Sequence, residues 1–149
     1  MNLVRGTLAA LFLAQSLMLT HATTAAAADP EDAPFITEAY YRIEWGHFDE
    51  FMELFKENHY PILKKMQALG HIESMTAAFP VNHASEESRW DFRMTIVIRD
   101  TNAFARAFDG VAKDLYPDQE KLKRDERHRF SLLTAHTDIV VRLGDLSKW

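Results

Sequence analysis

The chain has 149 residues and a formal net charge of −5 at pH 7, with 17 Lys and Arg against 22 Asp and Glu. That balance disfavours nucleic acid and anionic membrane surfaces as partners, because their phosphates need clustered cations. No cysteine is present, which excludes disulfides, thiolate metal sites, a lipid-modified N-terminal cysteine and a thiol nucleophile, and leaves the fold to its core.

In chain order, residues 1–28 read as a secretory signal. Arg5 precedes an apolar block from Leu8 to Leu19, interrupted by Gln15 and Ser16, and a small-residue tract from Ala25 to Ala28 stands before Asp29-Pro30. The order is that of a signal peptide, and the block is too short to span a bilayer. The expectation is a chain cleaved near Asp29 and exported to a bacterial periplasm, with no membrane partner afterwards. Residues 29–34 are then a short extension and 35–149 a single domain.

From Phe35 to Trp45 apolar residues alternate with polar ones, which predicts a strand; Gly46 ends it. From His47 the period becomes helical, with Phe48, Met52, Phe55, His59, Ile62, Met66 and Leu69 on one stripe closed by Gly70. Pro61 has no amide hydrogen for the Glu57 carbonyl, so a kink is expected there. A strand over His71–Phe79, a polar loop and a strand over Arg89–Arg99 predict a long antiparallel hairpin. Asp100 or Thr101 caps a second helix bearing Phe104, Phe108, Val111 and Leu115, which Pro117 breaks. Asp118 to Leu133 reads as a surface helix and Ala135 to Leu143 as a last strand.

This β-α-β-β-α-(α)-β order is an α+β, ferredoxin-like split βαβ arrangement: a four-stranded antiparallel sheet with its helices on one face. The helices should cover Tyr41, Trp45, Trp90, Phe92 and Met94. The other face should carry Glu38, Arg42, Glu44, Asp91, Arg93, Arg99, Asp138 and Arg142.

The element order, the run Tyr41-Arg42-Ile43-Glu44-Trp45-Gly46-His47-Phe48, and the following helix with His59-Tyr60-Pro61 ending at Gly70 together resemble the dimeric α/β-barrel superfamily. The NIPSNAP-like and EthD-like members are the most similar, and the likeness spans about Ile36 to Leu143. It implies a homodimer in which two sheets pack face to face, with a small-molecule ligand held between sheet and helices.

His59 shares its stripe with Phe55 and Ile62, so its ring should point at the sheet, where Tyr41, Thr37 and Thr137 are the polar groups available. A titratable ring beside hydroxyls in apolar surroundings suits a general base or an axial ligand, and equally a core histidine with one satisfied partner. Tyr41 can orient a substrate oxygen, while Trp45, Trp90, Phe55 and Met94 can wall a pocket. His47 beside Gly46 reads as exposed. His71, His83, His128 and His136 form no spaced pair, so a metal site has no support. The glycines make no phosphate loop and no serine sits in a nucleophile elbow. The run Lys121, Lys123, Arg124, Arg127 and Arg129, interleaved with Glu120, Asp125 and Glu126, reads as a solvated helix face.

Three functions fit these residues. The first is cofactor-independent proton transfer (isomerase, cyclase or lyase chemistry) on an apolar or aromatic carbonyl compound, with His59 and Tyr41 catalytic and Trp45, Trp90, Phe55, Met94, Thr37 and Thr137 contacting substrate. The second is haem binding with His59 as axial ligand, and the third a non-catalytic dimeric binding domain.

Overall fold

The computed structural model describes residues 34–82, 84–142 and 146–148; the signal segment, most of the extension, His83 and Leu143 lie outside them. The strands are β1 (Phe35–Ile43), β2 (Ile72–Ala78), β3 (Phe92–Ile98) and β4 (Leu133–Val141). The helices are α1 (Phe48–Leu54), a π-helical turn (Phe55–His59), α2 (Tyr60–Ala68), α3 (Thr101–Leu115) and α4 (Gln119–Ser131). The sheet runs β2-β3-β1-β4 and its strand pairs are antiparallel, which is the ferredoxin-like order.

Local chemistry explains where these elements begin and end. Gly46 is the third residue of a turn closed by the His47 N–H on the Glu44 carbonyl at 3.1 Å. It needs its φ of +87°, open to glycine without a Cβ clash. Gly70, at φ +81°, ends α2 in a Schellman motif: its N–H meets the Gln67 carbonyl and the His71 N–H the Met66 carbonyl, both at 3.0 Å. Asp100 caps α3 through the Ala103 N–H at 2.9 Å, and Asp118 caps α4 through that of Lys121 at 2.8 Å.

The helices cover one sheet face. Tyr41, Ile43, Phe92 and Met94 from the sheet meet Phe51, Phe55, Ile62, Leu63 and Met66 in the core. Burying a side chain of this size stabilises by about 1.5–3 kcal/mol, so this layer is the main source of cohesion in a chain without disulfides.

The two tryptophans do not join that layer. β1 stops at Ile43, so Trp45 falls in the turn and is 65% exposed. β3 begins at Phe92, not Arg89, because the Asp91 carboxylate leaves the alternation to accept the Ile43 N–H at 2.8 Å. Trp90 therefore packs edge-on against Tyr40, at 5.9 Å between ring centroids, on the open side of the sheet.

β4 also differs from expectation. Tyr41 pairs with His136, Tyr40 with Thr137 and Ala39 with Asp138. Thr137 is thus on the open face and Asp138 on the helix face, the reverse of the sequence reading, since a one-residue change of parity exchanges the faces. α4 is not a plain surface helix either, because its Leu122 and Arg129 are buried.

Candidate functional site

The expected kink is a π-turn. The Tyr60 N–H reaches back five residues to the Phe55 carbonyl, widening the helix by one residue just before Pro61. The Glu57 carbonyl, which Pro61 cannot serve, accepts instead from the Tyr116 hydroxyl at 2.6 Å. The turn sends Phe55 and Asn58 into the interior and leaves the His59 side chain 23% exposed.

On the β4 side of Phe55 lies a polar cluster. Arg129 is 1% exposed and grips Glu126 with two parallel bonds, Nε to Oε1 at 3.0 Å and Nη2 to Oε2 at 2.6 Å. The His59 Nδ1 stands 3.6 Å from the same Oε2. The guanidinium is sandwiched by rings, 5.4 Å from Phe51, 5.5 Å from Phe55 and 4.7 Å from Phe130. Tyr41 packs on His136 with centroids 4.5 Å apart, and the His136 Nε2 is 3.5 Å from Asp138 Oδ1.

The charges in this cluster shape its titration. Burial opposes the Glu126 carboxylate, but His59 and Arg129 outweigh it and bring its pKa down to about 2. Burial drives the Tyr41 hydroxyl up to about 12, against the pull of Arg129 and with a push from Asp138 and Glu126. Burial lowers His136, assisted by Arg129 and His59 and opposed by Asp138. Buried side-chain nitrogens in and beside this cluster, Arg129 Nη1, His136 Nε2 and Asn58 Nδ2, have no hydrogen-bond partner among the described residues.

On the β2–β3 side of Phe55 lies a cleft of about 320 Å³. Met52 and Phe55 form its helix wall, Met75, Ala77, Phe79, Phe92 and Met94 its sheet wall, and Lys56, Tyr60, Lys64 and Gln67 its rim. Phe55 and Met94, two of the residues expected to contact substrate, both line this cleft. His59 and Tyr41 do not line this one: Phe55 packs against both, at 5.2 and 6.1 Å.

The remaining candidates go elsewhere. Trp45 and Trp90 line a separate cleft of about 270 Å³ at the strand ends, where the Arg89 guanidinium covers the Trp45 ring at 4.1 Å. Thr137 and Trp90 share a shallow groove on the open sheet face. Thr37 is half-buried on the helix side, between Ile96 and Val140.

Glu126, Arg129 and His136 were not singled out by the sequence reading. A signal for the first two existed: Leu122, Glu126 and Arg129 follow the i, i+4, i+7 stripe of one helix face. The His59 ring packs against Phe55 and Phe108, at 5.2 and 6.2 Å, and its Nδ1 is turned to Glu126, so only its Nε2 could serve as an axial ligand to a haem. Among the described residues, no three His, Asp or Glu side chains are grouped so as to hold a metal ion, and no helix is long and apolar enough to cross a membrane.

Sheet order, one-sided helices and a helix–sheet cleft define a ferredoxin-like α+β protein. No protein-family model matches the sequence, and no curated protein does. Solved structures do match. A NIPSNAP family protein from Agrobacterium tumefaciens superposes with a TM-score of 0.50 at 16% identity, over 76% of this chain and 89% of that one. A protein from Pseudomonas aeruginosa gives 0.50 at 17%, over 75% and 96%. A dimeric ferredoxin-like protein from an uncultured marine organism gives 0.53 at 8%, over 79% and 96%. At such identities the likeness establishes the fold alone, the ferredoxin-like fold that the sequence reading implied.

Proposed function

We propose that this protein is a homodimeric binding domain for an apolar small molecule, held between α1–α2 and β2–β3. The observation that carries the reading is the cleft of about 320 Å³ walled by methionine and phenylalanine side chains, a size and lining typical of small-molecule sites. Methionines adapt to varied ligand shapes, and the aromatic rings offer flat apolar contact. The homodimer draws support from the dimeric description of the marine neighbour and from the open sheet face. Apolar Ile139 is 44% exposed there, while Glu38 and Arg93 lie 3.7 Å apart and already neutralise each other. Such a face suits a self-complementary contact.

The test is a fluorescence titration with the neutral dye N-phenylnaphthylamine, beside sedimentation of the unliganded protein. Saturable binding that disappears in Ala77→Trp, where an indole fills the cleft, is the expected result; binding indifferent to that change would end the reading. Export, supported by residues 1–28 alone, is checked by N-terminal sequencing of the secreted chain, expected to start near Asp29.

One arrangement favours a second reading, proton transfer. Glu126 faces the His59 Nδ1 and can hold the tautomer that leaves Nε2 free as a base. Tyr41, protonated up to about pH 12, can donate to a substrate oxygen. This reading expects turnover of an aromatic carbonyl compound with a pH-dependent limb that vanishes in His59→Ala. Turnover unchanged in that variant would discard it, and a Soret band on haemin addition that depends on His59 would replace it with the haem alternative.

A further inference from the structure

The cleft has an uneven rim. Every side chain that β2, β3 and the adjoining Phe79 contribute to it is uncharged and apolar. The helix contributes Lys56, Tyr60 and Lys64, spaced by four residues and therefore on one face, followed by Gln67. Lys64 donates to Gln67 at 3.3 Å, and among the described residues neither lysine makes an ion pair with a carboxylate. Lys121, by contrast, is held by Glu57 and Asp125, and Lys123 by Glu120. In a chain of net charge −5, two ammonium groups without acidic partners stand along one edge of an apolar cleft. Lysine suits that position, because its methylene stem lies along the apolar wall while its head turns to a ligand at the mouth.

Building on the cleft reading above, we infer that the ligand is an amphipathic anion. Its aromatic or hydrocarbon body lies over Phe92 and Met94, and its carboxylate or sulfonate head sits between Lys56 and Lys64, with the Tyr60 hydroxyl as a further donor. The net negative charge of the chain gives such an ion no general attraction, so the two lysines give orientation as well as affinity.

Two dyes of similar size separate the head from the body: anilinonaphthalene sulfonate, an anion, and neutral N-phenylnaphthylamine. Both are titrated into the whole chain, into the Lys56→Gln/Lys64→Gln double variant, into its Lys56→Arg/Lys64→Arg counterpart and into Ala77→Trp, with urea midpoints showing that each variant is folded. The expected result is a loss of about tenfold in sulfonate affinity in the glutamine variant, unchanged binding of the neutral dye, and recovery in the arginine variant. Added salt should weaken only the sulfonate. If the glutamine variant binds the sulfonate as well as the parent does, the anionic head is refuted while the cleft stands. If neither dye binds, or if Ala77→Trp leaves both unaffected, the cleft reading fails and the inference with it.

Discussion

The two sides of Phe55 are built on opposite plans. Toward β4, the space is filled with charge: Arg129, Glu126 and His59 meet beside the aromatic rings of Phe51, Phe55 and Phe130. Toward β2 and β3, the space is left open and is walled by methionine and phenylalanine. One helix with a π-turn serves both, and the difference teaches which side holds and which side receives. Buried charge must be matched by fixed partners, so the β4 side is committed to its own groups. Apolar walls have no directional demand, so the β2–β3 side can accept a guest.

The largest test of that division is Arg129→Ala. It strands the Glu126 carboxylate and empties a position that is 1% exposed, with an expected loss of about 3–5 kcal/mol in urea unfolding. Dye binding in the cleft should survive wherever the variant remains folded. A loss near zero would mean that the β4 side is not the holding side.

Acid should act on the same side. The Glu126 pKa is about 2 in the folded protein against an ordinary 4.5, so its contribution is complete above pH 4.5 and fades as pH falls through 2. Glu126→Gln should lower stability at neutral pH and flatten that acid limb, as urea midpoints across the range would show. Alkali should act through Tyr41, whose pKa is raised from 10 to about 12. Stability is then whole below pH 10 and declines between 10 and 12, because the unfolded chain releases the proton first. Tyr41→Phe should remove this decline.

A smaller effect belongs to the π-turn shared by both sides. Tyr116→Phe removes the 2.6 Å bond to the Glu57 carbonyl and should cost about 0.5–1.5 kcal/mol. In a Pro61→Ala background, where a backbone N–H becomes available, that cost should shrink in a double-mutant cycle. Smallest of all, Lys56→Gln should leave stability within about 0.5 kcal/mol, although it lies on the rim proposed to bind the anionic head. A larger loss would show that this lysine holds the fold rather than the ligand.

Much of the fold was legible in the sequence because period and punctuation agree. The alternation through Tyr41, the helical stripe from Phe48 to Met66, Gly70 as a C-cap and Asp100 as an N-cap each stand where local rules place them. Trp45 and Trp90 escaped those rules. Their parity matches the buried face, but Gly46 requires a turn that begins at Glu44, and the Asp91 carboxylate bonds the Ile43 N–H instead of continuing a strand. Thr137 and Asp138 exchanged faces because β4 carries no strong alternation of its own, and its register is set by pairing with β1. Arg129 looked like one cation in a solvated run, and only the rings packed around it reveal otherwise.

By itself, then, the sequence determined the order of elements and the antiparallel sheet with helices on one face, since these depend on period, caps and turn residues within a few positions of one another. Tertiary structure decided that His59 meets Glu126 from α4, that His136 rather than Thr137 lies beside Tyr41, and that Phe55 parts the charged side from the open cleft. Those contacts join residues far apart in the chain through strand register and helix packing, which no local period encodes.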